Sequence, residues 1–241
     1  EQRPRSNFFL VLCCILAITV CGFVFFNYIA SLQVDIKVKN DSGRMSKAGL
    51  VSHLKLNNAN YFSIDIEKVK QLMESYRWAR FVSAEKIFPN KLFIEVEERK
   101  VLARVDYSGK YYGLTDDGFL IQGSAAKNAM LSNIRVEGLD LHGYRAGVNP
   151  VIKNKKNAKI AAKVLEEIIR QRFASNVRSI DVSEAMNIKI DVSVSAYDGT
   201  RCRYMVNIGN GELVEAKIYS VRSIIKKMSE MKLQYGVLEA S

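Results

Sequence analysis

An uncharged apolar run from Phe8 to Ala30 constrains this chain more than any other feature of its sequence. At about 1.5 Å per residue, a helix of this length exceeds the ~30 Å hydrocarbon core of a bilayer. A helix also satisfies its own backbone hydrogen bonds, which lipid requires. The run therefore predicts a transmembrane helix at residues 8–30.

A cleavable signal peptide is the alternative interpretation of the same run. Its apolar region would be roughly 7–15 residues long and would end at a small-residue cleavage site, which Tyr28-Ile29-Ala30-Ser31 matches poorly. We therefore favour an uncleaved anchor. Arg3 and Arg5 precede the run and Asp35 follows it, so the Lys/Arg bias predicts a cytoplasmic N-terminus and an extracytoplasmic C-terminal part. We expect the cytoplasmic tail, residues 1–7, to be trimmed, since the chain begins at Glu1.

Small residues recur at every fourth position of the apolar run, at Cys13, Ala17 and Cys21. This spacing places them on one helix face, where a partner helix can approach closely, so we predict membrane-helix packing there. The alternative is that small residues are simply common in membrane spans. Cys202 is the cysteine outside the run, so the sequence predicts neither a disulfide framework nor a cysteine zinc site.

The residues after the run predict a first small module of strand, helix, helix, strand and strand. Apolar residues alternate with polar ones from Leu32 to Lys39, which is typical of a half-buried strand. The remaining predicted elements are a helix capped by Ser46 and ending near Leu54, a helix capped by Asp65 and running from Ile66 to Tyr76, and two strands on either side of Pro89-Asn90.

A second module begins after Gly147 and is also predicted to combine helices with strands. Cys202 lies on the apolar side of its predicted strand and is expected to be buried. The predicted elements are a helix to about Phe173, with Ile160, Val164, Leu165, Ile168 and Ile169 on its apolar face; strands at 177–182, 188–194 and 202–208; a helix bearing Val221, Ile224, Ile225 and Met228; and a last strand from Tyr235 to Ser241.

The sequence offers little for catalysis or nucleic-acid binding. His53 and His142 have no metal-binding spacing, and Asp116-Asp117 precedes Gly118, which favours a turn over a carboxylate pair. The net charge of +11 is spread over segments without an aromatic stacking pattern or a recognition helix. We therefore predict no enzyme activity, no cofactor, no metal and no nucleic-acid partner.

Short motifs follow one another along the first module. They are Tyr61-Phe62-Ser63-Ile64-Asp65, Arg77-Trp78-Ala79-Arg80-Phe81-Val82, Ile87-Phe88-Pro89-Asn90 and Glu98-Arg99. In this order they resemble the POTRA module of the FtsQ/DivIB cell-division family, in which a tryptophan and a valine open the second strand and a proline makes the hairpin. Val101 departs from that pattern, since the family has a proline there.

The likeness continues after the first module. Leu114-Thr115-Asp116-Asp117-Gly118-Phe119 is similar to the aspartate-glycine turn of the family's β domain, and Leu131-Ser132-Asn133-Ile134 is similar to its leucine-proline-x-isoleucine run. The resemblance implies an α+β fold in four parts: a tail at 1–7, a transmembrane helix at 8–30, a POTRA domain at 31–100 and a mixed β domain with packed helices at 101–241.

The function implied by the resemblance is that of a non-enzymatic scaffold at the division septum. Such a single-pass protein of the bacterial inner (plasma) membrane couples septum formation to septal peptidoglycan synthesis. Its implied partners are coiled-coil division proteins of the FtsB/DivIC and FtsL types, other divisome membrane proteins and the lipid bilayer. The expected partner-binding edge strand contains Tyr235, Val237, Leu238 and Glu239. A POTRA-type factor for envelope protein transport or assembly is the alternative.

Overall fold

The structure, a computed structural model, describes residues 5–143 and 150–240. The chain divides into two compact units, one ending at Glu98 and the other beginning at Arg99. Arg3 and Ser241, which the sequence-based predictions used, lie outside the described residues.

The apolar run forms helix α1, Arg5–Ala30. Among the described residues, one helix is long and apolar enough to cross a membrane, and it is the segment Phe9–Ala30 of α1. Side chains from Phe9 to Tyr28 are exposed on all sides of this helix. A helix that is apolar all round belongs in a protein core or in lipid, which agrees with the helix that the sequence predicts.

The rest of the first unit is a three-stranded sheet with two helices, in the predicted order. Its elements are β1 Gln33–Lys39, α2 Lys47–His53, α3 Ile66–Ser75, β2 Ala79–Ile87 and β3 Lys91–Glu98, with a 3-10 turn at Tyr61–Ser63. Strand β3 is central and pairs parallel with β1 and antiparallel with β2. Its alternation buries Leu92, Ile94 and Val96 completely, which confirms the predicted period of two.

The helices α2 and α3 begin directly after the predicted capping residues. The Ser46 hydroxyl accepts a hydrogen bond from the Gly49 N–H at 3.2 Å, and the Asp65 carboxylate accepts one from the Glu67 N–H at 2.9 Å. These bonds satisfy backbone donors that the first turn of a helix leaves free. The helix starts could therefore be located from the sequence alone.

The second unit contains ten strands and three helices among its described residues. They are β4 Val101–Tyr107, β5 Lys110–Thr115, β6 Leu120–Gln122, α4 Ser124–Ala129, β7 Arg135–Glu137, β8 Leu141–His142, β9 Val151–Ile152, α5 Lys155–Arg170, β10 Val177–Asp181, β11 Lys189–Ser195, β12 Arg201–Asn207, α6 Val214–Glu230 and β13 Tyr235–Glu239. Eight strands form one mixed sheet in the order β13-β12-β11-β10-β7-β4-β5-β6, and β8 pairs separately with β9. The mixed α+β architecture predicted from the sequence is confirmed.

Helices α5 and α6 pack together against one face of this sheet. On β12 the buried side chains are Cys202, Tyr204 and Val206, so the predicted burial of Cys202 is confirmed. The five residues of the apolar face predicted for α5 all contact the core, although Ile160 and Ile169 are only partly buried. The predicted face of α6 is too wide at Ile224, which is 43% exposed.

Gly138, directly after β7, has a close neighbour that makes a side chain at this position costly. Its φ is +79°, and an added Cβ would lie 2.2 Å from the Ser183 backbone nitrogen. We expect Gly138→Ala to lower the free energy of unfolding by about 3 kcal/mol or more. The strain of a left-handed backbone and the overpacking against Ser183 both destabilise the folded state. Gly109→Ala is the matched control, because Gly109 has φ +70° but open space around it. Gly109→Ala should lower the free energy of unfolding by about 1 kcal/mol, as measured by urea unfolding. Equal losses for the two variants would contradict the clash with Ser183.

A candidate partner-binding edge in the eight-stranded sheet

Strand β13 lies at one end of the eight-stranded sheet. It pairs parallel with β12, with Arg203 opposite Tyr235 and Met205 opposite Val237. Within residues 5–143 and 150–240, no strand pairs with its other side. The helix α6 makes this arrangement possible, because parallel neighbours need a long crossover connection.

The hydrogen bonds at the two ends of the β12–β13 ladder determine which backbone groups face outward. The Arg203 N–H donates to the Gln234 carbonyl at 2.8 Å, and the Ala240 N–H donates to the Asn207 carbonyl at 2.8 Å. Because alternate residues of a strand direct their N–H and C=O groups to the same side, the even-numbered residues of β13 face β12. The odd-numbered residues Tyr235, Val237 and Glu239 therefore direct theirs to the open edge.

The side chains of the same three residues are exposed on one face of the sheet. Tyr235 is 76% and Val237 is 72% exposed, and Glu239 is exposed as well. Leu238 points to the other face, where it packs against the core. An open edge that carries large apolar side chains offers both backbone pairing and selective contacts to an added strand.

The exposed sheet surface beside β13 extends the candidate site inward. Asp191, Arg203, Met205 and the residues 235–237 line a shallow depression there. The Arg203 guanidinium donates two hydrogen bonds to Asp191, Nε to Oδ1 at 3.0 Å and a terminal nitrogen to Oδ2 at 2.8 Å. These bonds raise the pKa of Arg203, so the depression keeps a fixed, bidentate ion pair beside the apolar Met205.

Two contacts fix the chain just before β13. The Tyr204 hydroxyl donates to the Leu233 carbonyl at 2.5 Å, and burial raises the pKa of Tyr204 to about 12. Lys232 forms a 3.1 Å ion pair with Asp198, in the loop between β11 and β12. Hydrogen bonds from Thr200, followed by the one from Lys232, lower the pKa of Asp198 from 3.8 to about 2. The edge strand is thus held in place by its own unit.

Comparisons with known proteins agree with this architecture. The family model described as "POTRA domain, FtsQ-type" matches residues 33–99, which run from β1 to just past β3. The cell division protein DivIB of Clostridium tetani (strain Massachusetts / E88) is 22% identical over 231 residues, covering 93% of this chain and 79% of that protein. The cell division protein DivIB of Solibacillus silvestris (strain StLB046) is 23% identical over 212 residues, covering 86% of this chain and 65% of that protein.

These matches confirm the predicted resemblance to the FtsQ/DivIB family. The POTRA domain that the motifs predicted is therefore confirmed. Because both DivIB relatives align over most of this chain, the likeness extends well beyond residues 33–99.

The acidic residues and histidines that the sequence singled out have partners within the chain. Asp116-Asp117 forms the predicted turn, and the Asp117 carboxylate binds Arg99 at 2.6 Å. His53 Nε2 lies 3.2 Å from the Leu72 carbonyl oxygen, and His142 pairs with Asp140 at 2.7 Å. Among the described residues, no group of three or more His, Cys, Asp or Glu side chains is arranged to hold a metal.

The residues that the sequence proposed for helix packing in the membrane lie on α1. Cys13 and Cys21 are exposed on α1, as is the shared face that includes Ala17, so their packing against another helix stays a prediction. Met205 and the pair of Arg203 with Asp191 were not predicted from the sequence. Alternation along β12 does place Met205 on the exposed face, but the pairing with Asp191 depends on a strand register that periodicity does not reveal.

Removing the Asp117 carboxylate should destabilise the second unit. Arg99 is 4% exposed, its guanidinium lies 4.1 Å from the centre of the Phe119 ring, and Asp117 supplies its opposite charge. We expect Asp117→Ala to lower the free energy of unfolding by about 2–3 kcal/mol, because a buried charge loses its carboxylate. Asp106→Ala is the control in the same unit and should cost less than about 1 kcal/mol, because its ion pair with Arg104 is exposed. Equal losses in urea unfolding would contradict this role.

The low pKa of Asp198 predicts a pH-dependent contribution to stability. A carboxylate whose pKa is lowered on folding stabilises fully above its unfolded pKa, 3.8, and loses that contribution as the pH falls toward about 2. The urea midpoint of Asp198→Asn should therefore lie below that of the unchanged chain at pH 5 and approach it near pH 2. Lys232→Gln should reproduce only part of the effect, since Thr200 is the larger cause. A pH-independent difference would contradict the assignment.

Proposed function

We propose that this chain is a non-enzymatic cell-division scaffold that binds other division proteins and couples septum formation to septal peptidoglycan synthesis. The open edge at β13 is the observation that carries the proposal, because it offers backbone groups that no strand in the described part of the chain pairs with, beside exposed Tyr235 and Val237. The DivIB relatives are named as cell division proteins, which supports the same role.

The proposed location is the bacterial inner (plasma) membrane at the division septum. In this proposal α1 crosses the bilayer once, with residues 1–7 in the cytoplasm and the C-terminal part outside, because the Lys/Arg bias favours that orientation. The POTRA domain then occupies residues 31–100 and the β domain residues 101–241. Cys13, Ala17 and Cys21 provide the face on which another membrane helix packs.

The proposed partners are coiled-coil division proteins of the FtsB/DivIC and FtsL types. An extended segment of such a partner would add a ninth strand next to β13, with its backbone paired to Tyr235, Val237 and Glu239. Exposed Met205 and the ion pair of Arg203 with Asp191 would contact its side chains. This mode of binding needs no rearrangement of β12, because the inward ladder stays intact.

The scaffold role is favoured over catalysis by the surroundings of the acidic residues. Asp117 is bound to Arg99, Asp191 to Arg203 and Asp198 to Lys232, so each of these carboxylates is paired with a cation and is not available as a free acid or base. The alternative role in envelope transport loses support, since the matching POTRA type is the FtsQ type and the relatives are division proteins.

Val237→Pro tests the proposal by removing one outward backbone donor. Proline is tolerated on an edge strand whose N–H faces away from the sheet, so β13 should stay paired with β12. Loss of the bond and the bulk of the ring should weaken capture of the FtsB/DivIC-type partner from the same organism by about tenfold or more, equivalent to ~1.4 kcal/mol. The measurement is titration of the purified partner onto the full chain in detergent.

Val237→Thr is the matched control for this experiment, because threonine keeps the N–H and the β-branched shape. It should bind the partner nearly as well as the unchanged chain. Circular dichroism and the urea midpoint establish that both variants are folded. Partner capture that is unaffected in a folded Val237→Pro chain would rule out pairing at this edge.

A further inference from the structure

Helix α1 joins the first strand of the POTRA domain without a flexible linker. Between Ala30 and Gln33 lie only Ser31 and Leu32, and Ser31 still donates its N–H to the Asn27 carbonyl at 3.0 Å. Ser31 also forms an isolated β-bridge with Asn60. The helix end is therefore bonded through its backbone to the segment before the 3-10 turn, and the chain itself joins it to β1.

Asn90, at the turn between β2 and β3, also binds this junction. Its side chain is buried and donates to the Tyr28 carbonyl at 3.0 Å, and its carbonyl accepts the Gln33 N–H at 2.8 Å. Because Tyr28 belongs to α1 and Gln33 to β1, one residue binds both elements. This places the β2–β3 turn beside the end of the apolar helix.

The aromatic ring of Phe62 lies against the apolar part of α1. Phe62 belongs to the 3-10 turn at Tyr61–Ser63, and its ring stacks on Phe26 with centroids 6.4 Å apart and planes at 14°. Phe26 lies four residues before Ala30, the end of the apolar segment, or about 6 Å along the helix axis. A bilayer that covers the apolar segment up to Ala30 therefore also reaches the level of Phe62.

Further apolar side chains are exposed at the β2–β3 turn, close to the same helix end. Ile87 is 41% and Phe88 is 73% exposed, and Phe62 in the 3-10 turn is 55% exposed. Lys86 lies beside them, with its ammonium 5.1 Å from the centre of the Tyr61 ring and bonded to the Ile64 carbonyl at 3.0 Å. Apolar rings next to a cation are typical of surfaces that lie in the interfacial layer of a membrane.

We propose that Phe62, Ile87 and Phe88, here called the aromatic rim, insert into the lipid interface at the leaflet where α1 ends. Lipid is the occupant that the geometry favours, because contact with Phe26 holds Phe62 at membrane depth without any partner protein. The proposal rests on the proposed spanning of α1 and adds a second membrane contact to it. The POTRA domain then contacts the bilayer surface directly, and this contact is called its seating.

Fluorescence quenching by lipid measures this seating in the full chain. Phe62→Trp, Phe88→Trp, Phe23→Trp and Lys39→Trp are each made in a Trp78→Phe background, so that each protein contains one tryptophan. The proteins are reconstituted into phosphatidylcholine vesicles with acyl chains brominated close to the carbonyl, and into unbrominated vesicles. Lys39 ends β1 roughly 20 Å from Gln33 along the strand and serves as the control within the same domain.

Bromine should quench the tryptophan at positions 62 and 88 to an extent comparable with position 23, and leave position 39 unquenched. Quenching at 23 without quenching at both 62 and 88 would overturn the seating and leave the span intact. Absence of quenching at 23 would overturn the span as well. Quenching at all four positions would also contradict a defined rim. Circular dichroism of each variant checks that the substitutions leave the fold unchanged.

Discussion

The requirement that every backbone N–H and C=O group find a partner explains the main features of this chain. Helix α1 satisfies its groups internally, which makes it fit for lipid. The three-stranded sheet pairs its central strand on both sides. In the eight-stranded sheet the outward groups of Tyr235, Val237 and Glu239 lie at the open edge, so the same requirement that builds the fold leaves a place for another chain.

The sequence predicted those elements whose signals are local. The strand β3 was predicted because Leu92, Ile94 and Val96 alternate with polar residues, and α3 because Asp65 caps it. The sheet order was not predicted, since β7 pairs with β4 and β10 across long stretches of chain. No periodic pattern specifies such pairings, and the strands β4 to β9 are too short or too evenly buried to show one.

Packing explains the remaining differences in the helices. Helix α5 was expected to bury five branched side chains, yet Ala158, Ala161 and Ala162 are as buried as Leu165. Small residues bring the helix close to the sheet and leave Ile160 at the margin of the contact. Periodicity counts large apolar residues and therefore overlooks a face made partly of alanine. The edge residues Tyr235 and Val237 were predicted through the family resemblance, whereas their exposure and outward hydrogen-bonding direction required the structure.

The short junction between α1 and β1 has a consequence for orientation in the plane of the membrane. With no hinge between Ala30 and Gln33, turning the helix about its axis by one residue, about 100°, turns the attached sheet with it. A neighbouring helix that docked on Cys13, Ala17 and Cys21 would thereby set the rotational orientation of the POTRA domain about the membrane normal. Contacts made inside the bilayer would then decide which side of that domain faces the next protein along the membrane.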